Sequence, residues 1–325
     1  VVYIIEPGCL EELMRKGALL GIRKLLELGI QPDLIVCRGE SPIRDYIREK
    51  ISISSNVPIS RVIPAPDVRN IHEIPIIMKD MGIDKIVLDS LGLKRVNGDT
   101  KKFSEWCEFV SKSKNVRKKV RIAITGKYTD VHDAYISILK ALEHSAPRFG
   151  CGFEVEYIET TRIKGQKDVR DALRNAGGII VPIGFGSRGS EGKIECIRYA
   201  RENDIPFLGL CYGFQMAVVE FARNVCGLSG ANSTEIDRET PHPVIDILPE
   251  QKEIIKGSRY GGSMRLGAYE TVVRKGTMVY QLYKREKITL RHRHRWEVNP
   301  KYIKTVSYTH LRAHETSLHL VCRLL

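Results

Sequence analysis

The sequence lacks the features that mark a membrane or secreted protein. No apolar run approaches the roughly 18 residues that a membrane-spanning helix needs. The first residues, V-V-Y-I-I-E-P, contain neither an initiating methionine nor the positively charged segment that begins a secretory signal. We therefore expect an internal segment of a longer soluble protein, with no membrane partner.

Closely spaced cysteine pairs are also missing. The eight cysteines are scattered along the chain, and no C-x-x-C pair occurs. Neither a zinc site nor a disulfide framework is therefore indicated, and we expect no metal ligands in this chain. A reducing cytoplasm is the expected location.

The positive charge comes without the usual signature of a nucleic-acid-binding protein. The formal net charge is +13, but the basic residues are spread out, without interleaved aromatic residues or a known DNA-binding motif. Small ligands that carry phosphate explain the sign as well, so no nucleic-acid partner is predicted. A length of 325 residues with 42% hydrophobic residues is enough for about two domains.

Apolar segments alternate with helical patterns over residues 1–95. Strands are predicted at 2–5, 33–37 and 61–63, and helices at 10–28, 42–51 and 74–81. This alternation predicts a parallel sheet covered by helices. The pattern stops in residues 96–119, which hold one short helix around Trp106 and end in a basic run. We interpret 96–119 as an interdomain connector.

A second α/β unit is predicted over residues 120–305. Strands are predicted at 120–125, 153–158 and 178–182, and helices at 134–144 and 169–175. The strand at 178–182 continues into a glycine-rich loop, 183–193, and the next helix precedes a further strand that ends at Cys211. Ligands bind at the carboxyl edge of open α/β sheets, so the loop and Cys211 should meet there.

Cys211 lies in the sequence L-G-L-C-Y-G-F-Q, between an apolar strand and an apolar helical run. The G-x-C-x-G spacing is the cysteine form of a nucleophile elbow, because small residues on both sides let the backbone turn sharply. At a helix N-terminus, facing solvent, the thiolate should be favoured over a reference thiol with a pKa of ~8.5. The alternative is a buried cysteine of the core.

The glycine-rich loop favours the first of these readings. A thiolate that attacks an amide creates an oxyanion, which backbone N–H groups free of side-chain bulk can bind. Gly184 and Tyr212 are placed to offer two such groups. A glycine loop alone could equally hold a phosphate.

Several motifs resemble, in order and spacing, the glutamine amidotransferase domain of the CTP synthase family. They are G-K-Y-T-D-V-H-D-A-Y, P-I-G-F-G-S-R-G-S-E-G-K, A-R-E-N-D-I-P-F-L-G-L-C-Y-G-F-Q, G-A-N-S-T-E, G-G-S-M-R-L-G-A and R-H-R-H-R-W-E-V-N-P. Upstream, I-Q-P-D-L-I-V-C-R and N-V-P resemble the end of that family's synthetase domain. The resemblance implies two α/β domains with mostly parallel sheets, 1–95 from the synthetase domain and 120–305 a flavodoxin-like class I amidotransferase domain.

The resemblance implies the following chemistry. Cys211 would form a glutamyl thioester and release ammonia for the ATP-dependent amination of UTP to CTP. Glu235 and Arg295 would pair with the ammonium and carboxylate of glutamine. Without the resemblance, Glu235 could simply cap a helix, and the R-H-R-H-R run could be a solvated face. The implied glutamine contacts are Gly184, Tyr212, Gly213, Phe214, Gln215, Glu235 and Arg295.

The resemblance also implies nucleotide sites. Lys50 matches a UTP- and CTP-binding lysine, Val68 a position beside the ATP base, and Arg188 the place where activation by GTP is felt. Of a uridine-nucleotide loop expected near residues 14–19, only Lys16 survives. The implied ligands and partners are glutamine, UTP, ATP with Mg²⁺, GTP as allosteric activator, CTP as inhibitor and further copies in a homotetramer, with the magnesium ligands upstream of this chain.

Two further departures from the family pattern bear on activity. Ile183 replaces the first of two glycines, so the loop should be stiffer or displaced. Residues 306–325 resemble a translated sequencing adapter and are interpreted as a non-native tail. The family's base, a histidine with a glutamate partner, would then lie beyond residue 305, and His314-Glu315 only imitates it. We expect that the chain as given binds glutamine poorly and cannot turn over, and that His292 and His294 shape the glutamine pocket.

Two alternative functions remain open on the sequence. One is a different class I amidotransferase, or a cysteine hydrolase on the same sheet, although the motifs after Asn232 argue against it. The other is a non-catalytic relative that keeps the fold for nucleotide binding or assembly. The altered segment 14–19 and Ile183 would suit the second alternative.

Overall fold

The computed structural model describes residues 1–4, 13–94, 100–116, 118–247 and 265–308. The chain divides into two compact units, Val1–Lys114 and Asn115–Leu325. Their boundary falls inside the range that was predicted as a connector. No helix among the described residues is long and apolar enough to cross a membrane.

The first unit contains a parallel sheet with helices. Its strands are β1 (Val2–Tyr3), β2 (Ile35–Gly39) and β3 (Val62–Pro66), in the order β1-β2-β3. Helices α1 (Leu13–Glu27) and α2 (Asp45–Ser55) pack against it, because Ile22 and Ile51 share one buried cluster with Ile35 of the sheet. Two short helices follow, α3 (Ile74–Asp80) and α4 (Ile83–Ser90), of which the sequence predicted only the first.

The predicted connector proves to be mainly one long helix, α5 (Thr100–Lys114). The prediction of a short helix around Trp106 was wrong because the charged residues were read as a loop, whereas they form the exposed face of an amphipathic helix. Its inner face belongs to the first unit. The Trp106 indole donates to the His72 carbonyl at 2.9 Å, and the Asn70 amide donates to the Ser113 hydroxyl at 2.9 Å.

The second unit is built on a four-stranded parallel sheet. Its strands are β4 (Lys119–Gly126), β5 (Gly152–Glu159), β6 (Gly178–Val181) and β7 (Phe207–Gly209), in the order β5-β4-β6-β7. This is the flavodoxin-like order, so the predicted fold class is confirmed. Its helices are α6 (Ile136–Ser145), α7 (Gln166–Leu173), α8 (Ser190–Glu202) and α9 (Tyr212–Asn224).

The rest of the second unit adds two small sheets. Strands β8 (Asn232–Ser233), β9 (Pro243–Ile247) and β12 (Trp296–Val298) form a sheet in the order β12-β9-β8, and β10 (Arg265–Val272) pairs antiparallel with β11 (Lys287–His294). A short helix, α10 (Met278–Tyr283), connects β10 and β11.

A final helix, α11 (Pro300–Tyr308), continues into the segment that was predicted to be foreign. Val306 is only 5% exposed and belongs to the main core cluster. The first residues of the segment 306–325, which was interpreted as a non-native tail, therefore belong to a helix that begins in the preceding residues. His314 and Glu315 lie outside the described residues.

Candidate functional site

The turn between β7 and α9 places Cys211 at a strained backbone position. Cys211 has φ 50° and ψ −101°, a conformation that non-glycine residues rarely adopt. Both neighbouring glycines are needed on steric grounds. A Cβ on Gly209 would lie 2.7 Å from the Phe214 nitrogen, and one on Gly213 would lie 2.0 Å from the Val181 oxygen. The predicted elbow is therefore present.

The surroundings of Cys211 do not favour its thiolate as predicted. Burial raises the pKa of the thiol, and the nearby Glu235 carboxylate raises it further, while the Tyr212 N–H lowers it. Cys211 does precede a helix N-terminus, but it is half-buried rather than solvent-facing. The spacing of glycines fixes the turn and carries no information on this burial, so the predicted pKa direction was wrong.

The loop after β6 lies against the elbow. At Gly184, a Cβ would lie 3.3 Å from a ring carbon of Tyr212, and the Tyr212 hydroxyl donates to the Gly186 carbonyl at 2.6 Å. The Lys127 ammonium donates to the Phe185 carbonyl. Ile183, the residue that replaces a family glycine, is 61% exposed.

The structure joins Glu235 to the same loop. Glu235 follows β8, and its carboxylate accepts a hydrogen bond from the Gly186 N–H at 2.9 Å. Burial raises the pKa of this carboxyl group, while the Gly186 N–H and the Lys127 charge lower it. The alternative that Glu235 only caps a helix therefore does not hold. A carboxylate in this position can accept hydrogen bonds from a ligand ammonium.

The first turn of α9 connects the elbow to the strand that follows β11. Residues Tyr212, Gly213, Phe214 and Gln215 are all buried, and the Gln215 amide donates to the Trp296 carbonyl at 2.8 Å. Arg295 directly precedes Trp296 and is 6% exposed. This hydrogen bond brings the backbone beside Arg295 to the helix that begins after Cys211.

The R-H-R-H-R run alternates, as a strand does. His292, His294 and Arg295 are buried, whereas Arg291 and Arg293 are exposed. The His292 Nδ1 lies 3.1 Å from the His294 Nε2. The alternative of a solvated face thus holds for the two exposed arginines, whereas the other three residues are buried inside the unit.

Three of the four residues predicted to bind nucleotides belong to the first unit, and the fourth, Arg188, belongs to the glycine loop. Lys50 is exposed on α2, and Val68 is half-buried after β3, both in the first unit. Lys16 is part of α1, but its side chain is outside the described residues. Arg188 is exposed on the glycine loop, where its guanidinium donates to the Lys127 carbonyl at 2.9 Å and lies 5.5 Å from the centre of the Tyr128 ring.

Lys193 is a residue of this site that the sequence reasoning missed. It was taken as the end of the glycine loop, but α8 already begins at Ser190. Its side chain is 2% exposed, and burial with repulsion from Lys127 lowers its pKa to about 8. The signal was available, because Lys193 repeats with Ile197 and Ala200 at helical spacing on the buried side.

The described residues contain no group of three or more His, Cys, Asp or Glu side chains that could hold a metal ion. The reactive and charged groups at the elbow are the Cys211 thiol, the half-buried Glu235 carboxylate and the buried Lys193 ammonium.

Comparison with known proteins identifies the family of the site. Residues 130–321 match the family model described as glutamine amidotransferase class-I. The chain belongs to the class-I glutamine amidotransferase family. The match to this family model extends to residue 321 and so includes most of the segment 306–325 that was interpreted as non-native. Residues 1–93 match the model described as CTP synthase N-terminus.

The relatives of this amidotransferase confirm the resemblance to CTP synthases. The CTP synthase of Pyrococcus abyssi is 47% identical over 304 residues, covering 94% of this chain and 55% of the relative. That of Methanopyrus kandleri is 44% identical over 314 residues, covering 96% and 58%. The chain thus spans little more than half the length of these curated relatives.

A solved structure is also similar to this amidotransferase. It is the Trypanosoma brucei CTPS glutaminase domain with bound acivicin, at 36% identity and a TM-score of 0.55. The match covers 60% of this chain and 74% of that chain.

Proposed function

We propose that the second unit is the glutaminase of a CTP synthase, and that the whole protein aminates UTP to CTP with ATP. The observation that carries the proposal is the strained Cys211 elbow, which lies against a glycine loop whose Gly186 N–H is bound by Glu235. The match of residues 1–93 to the CTP synthase N-terminus supports this reading over another class I amidotransferase.

The glutaminase step begins at Cys211. Its thiolate attacks the carboxamide carbon of glutamine, the carbon–sulfur bond forms, and the carbonyl π electrons move onto oxygen. The backbone N–H groups of Gly184 and Tyr212 stabilise this oxyanion. Collapse breaks the carbon–nitrogen bond, and ammonia leaves with the proton that the thiol lost. The glutamyl thioester that remains is then hydrolysed by water to glutamate.

Proton transfer in this step requires a base. Because burial and Glu235 raise the pKa of Cys211, the site holds a thiol at neutral pH. A histidine supported by a glutamate, as the family resemblance implies, would accept the proton and return it to the leaving nitrogen. We place both residues outside the described part of the chain.

Recognition of glutamine rests on two buried charges. The Glu235 carboxylate would accept hydrogen bonds from the ammonium of the substrate, and the Arg295 guanidinium would bind its carboxylate in a bidentate manner. Main-chain contacts would come from Gly184 and the first turn of α9.

The nucleotide ligands complete the proposal. UTP, and CTP as inhibitor, would bind near Lys50 and Lys16, the ATP base near Val68, and the activator GTP near Arg188. We further propose a homotetramer in the cytoplasm.

The test uses the full-length protein and two nitrogen sources. Cys211→Ala should reduce glutamine-dependent CTP formation by at least about 1,000-fold and leave the reaction with ammonium chloride intact, because free ammonia bypasses the thioester. Cys226→Ala, a half-buried cysteine away from the elbow, is the matched control. Persistence of glutamine-dependent activity in Cys211→Ala would contradict the proposal. A wild-type protein inactive with both sources, yet assembling without UTP, would favour the non-catalytic relative.

A further inference from the structure

Lys193 is a buried cation that the proposed glutaminase chemistry does not use. It lies in the first turn of α8 with a side chain that is 2% exposed. Within the described residues no carboxylate contributes to its electrostatic surroundings, and the charge of Lys127 repels it. A buried ammonium without a counter-ion is costly, so a space-filling role alone would be served better by an apolar residue.

The ammonium of Lys193 contacts the loop that follows β6 and the elbow around Cys211. Its Nζ lies 3.3 Å from the Pro182 carbonyl oxygen and 5.1 Å from the centre of the Tyr212 ring. A Cβ on Gly184 would lie only 3.2 Å from the same Nζ. The ammonium therefore lies next to the segment that carries the Gly184 N–H.

Three backbone carbonyl groups after β6 accept hydrogen bonds from side chains. Lys193 binds the carbonyl of Pro182, Lys127 that of Phe185, and the Tyr212 hydroxyl that of Gly186. In a planar trans peptide the C=O and N–H bonds point in opposite directions. The Pro182 carbonyl shares its peptide plane with the Ile183 N–H, and the Phe185 carbonyl shares its plane with the Gly186 N–H. Because these two planes are held on either side of Gly184, only the torsion angles between them remain free, which limits the directions in which the Gly184 N–H can point.

We propose that Lys193 is a positioning residue, whose ammonium holds the Pro182 carbonyl and thereby keeps the Gly184 N–H directed at the oxyanion of the reacting carbonyl. This inference rests on the proposed glutaminase function. Lys193 does not touch the substrate in this role. Its charge is retained at neutral pH because the lowered pKa is still about 8. The ionisable groups that face it are Lys127, Cys196 and the Tyr212 phenol.

Two electrophiles distinguish a role of Lys193 in positioning the Gly184 N–H from a general disturbance of the site around Cys211. The chloroketone analogue of glutamine, 2-amino-4-oxo-5-chloropentanoate, reacts when the Cys211 thiolate adds to its ketone and forms an oxyanion. Sulfur then bonds to the methylene carbon as chloride leaves, the first carbon–sulfur bond breaks, and the oxyanion electrons re-form the ketone. Iodoacetamide alkylates the same thiolate by displacement of iodide, with no oxyanion. Both rates are measured at the Cys211 peptide by mass spectrometry, so the other cysteines do not interfere.

The variants are Lys193→Met, Lys193→Arg and the control Lys119→Met, which removes an exposed lysine paired with Glu154. We expect Lys193→Met to lower the limiting chloroketone rate about 10- to 100-fold, below the loss for a deleted oxyanion donor. The half-saturating concentration and the iodoacetamide rate should stay unchanged. Lys193→Arg, which keeps a cationic donor, should recover part of the loss, and Lys119→Met should react as the wild type does.

Three outcomes would overturn the inference. One is a Lys193→Met protein with the wild-type limiting chloroketone rate. Another is an equal fall of the iodoacetamide rate, which would show that the variant disturbs the elbow as a whole. The third is a Lys193→Arg protein that recovers nothing while its thermal midpoint equals that of the wild type. Failure of the proposed function itself looks different, because the wild type would then react with iodoacetamide but show no saturation with the chloroketone.

Discussion

At the scale of single residues, the candidate site is centred on Cys211, whose thiol pKa is raised by some of its neighbours and lowered by another. Burial and Glu235 raise the pKa of Cys211, and the Tyr212 N–H lowers it. A thiol that stays protonated is protected from adventitious alkylation and oxidation. The same Glu235 that would bind the substrate ammonium thus adds to the effect of burial on the Cys211 pKa, and a bound ammonium would offset its contribution.

The influence of Glu235 can be measured directly. In Glu235→Gln the amide oxygen can still accept the Gly186 N–H, but the negative charge is lost. We expect the pKa of Cys211 to fall, so the pH at which iodoacetamide labelling of Cys211 is half-maximal should move to a lower value. Glu154→Gln, an exposed residue on β5, is the control. An unchanged or higher midpoint in Glu235→Gln would contradict the assignment.

Lys193 should make the stability of the second unit depend on pH. Burial lowers its pKa from the ordinary lysine value of 10.5 to about 8, so between these values the unfolded chain binds more protons than the native one. The free energy of unfolding of the wild type should therefore rise with pH across this window, relative to that of Lys193→Met. The full change should be about 3 kcal/mol, at 1.36 kcal/mol per pKa unit.

Urea unfolding of both proteins at intervals from pH 7 to 10.5 measures this effect. Other groups that titrate in the window cancel in the difference between the two proteins. A difference that stays constant with pH would show that Lys193 is not perturbed by burial.

The sequence predicted these residues unevenly, for physical reasons. Cys211 was found because a sharp turn imposes steric demands that only glycines meet, and these demands appear as the G-x-C-x-G spacing. The direction of its pKa depends on burial by distant parts of the chain, which spacing does not encode. Lys193 was missed because a charged residue beside glycines resembles a loop.

At the scale of elements, the elbow depends on how α9 packs against α8. Glu220 of α9 is 0% exposed and accepts hydrogen bonds from the Arg201 Nη2 of α8 at 2.8 Å and from its Nε at 3.2 Å. The Asn224 amide donates to the same carboxylate at 3.1 Å. A buried carboxylate satisfied in this way fixes the register of the two helices that flank the glycine loop and Cys211.

Breaking this pair from the arginine side should be costly. Arg201→Met leaves the Glu220 carboxylate buried with only the hydrogen bond from the Asn224 amide among the described residues, and we expect a loss of about 3 kcal/mol in the free energy of unfolding. Arg198→Met, which removes a partly exposed pair with Glu202 on the same helix, should cost less than about 1 kcal/mol.

The double variant Arg201→Met with Glu220→Leu completes this test. Because it removes both charges, it should recover most of the stability in urea unfolding. A double variant as unstable as Arg201→Met would mean that the carboxylate was not the source of the loss.

Elements were predicted best where local pattern and tertiary packing agree. Strand β6 is apolar and fully buried, β4 is buried in its second half, and β5 alternates apolar and charged residues; all three were predicted correctly within about two residues. Helix α5 was underestimated because only one of its faces packs, so its sequence is mostly polar. The β10–β11 ribbon has no such core signal, because Arg291 and Arg293 face solvent.

At the scale of the whole molecule, two units with separate cores are joined in one chain. The core of the first unit gathers around Ile47, Ile51 and Val62, and that of the second around Ile197, Met216 and Ile245. The sequence anticipated two α/β units from the repeated alternation of strands and helices. It did not give their boundary at Lys114–Asn115, because α5 reads as a linker until its contacts with the first unit are known.

The two tryptophans offer a test of this division, since each lies in a different unit. Trp106 packs beside His72 and Phe109 in the first unit, and Trp296 pairs with Ile247 through β12 in the second. In Trp296→Phe, fluorescence reports on the first unit alone, and in Trp106→Phe on the second. Urea titration of the two proteins should give different midpoints, because two separate cores have no reason to be equally stable.

The slopes of these two transitions should differ as well. The second unit, Asn115–Leu325, is the longer and buries more surface, so the dependence of its unfolding free energy on urea should be steeper than that of Val1–Lys114. Circular dichroism of the wild type should then show both transitions. Coincident midpoints and equal slopes by all three probes would mean that the chain unfolds as one cooperative body, and the two cores would have to be regarded as parts of a single domain.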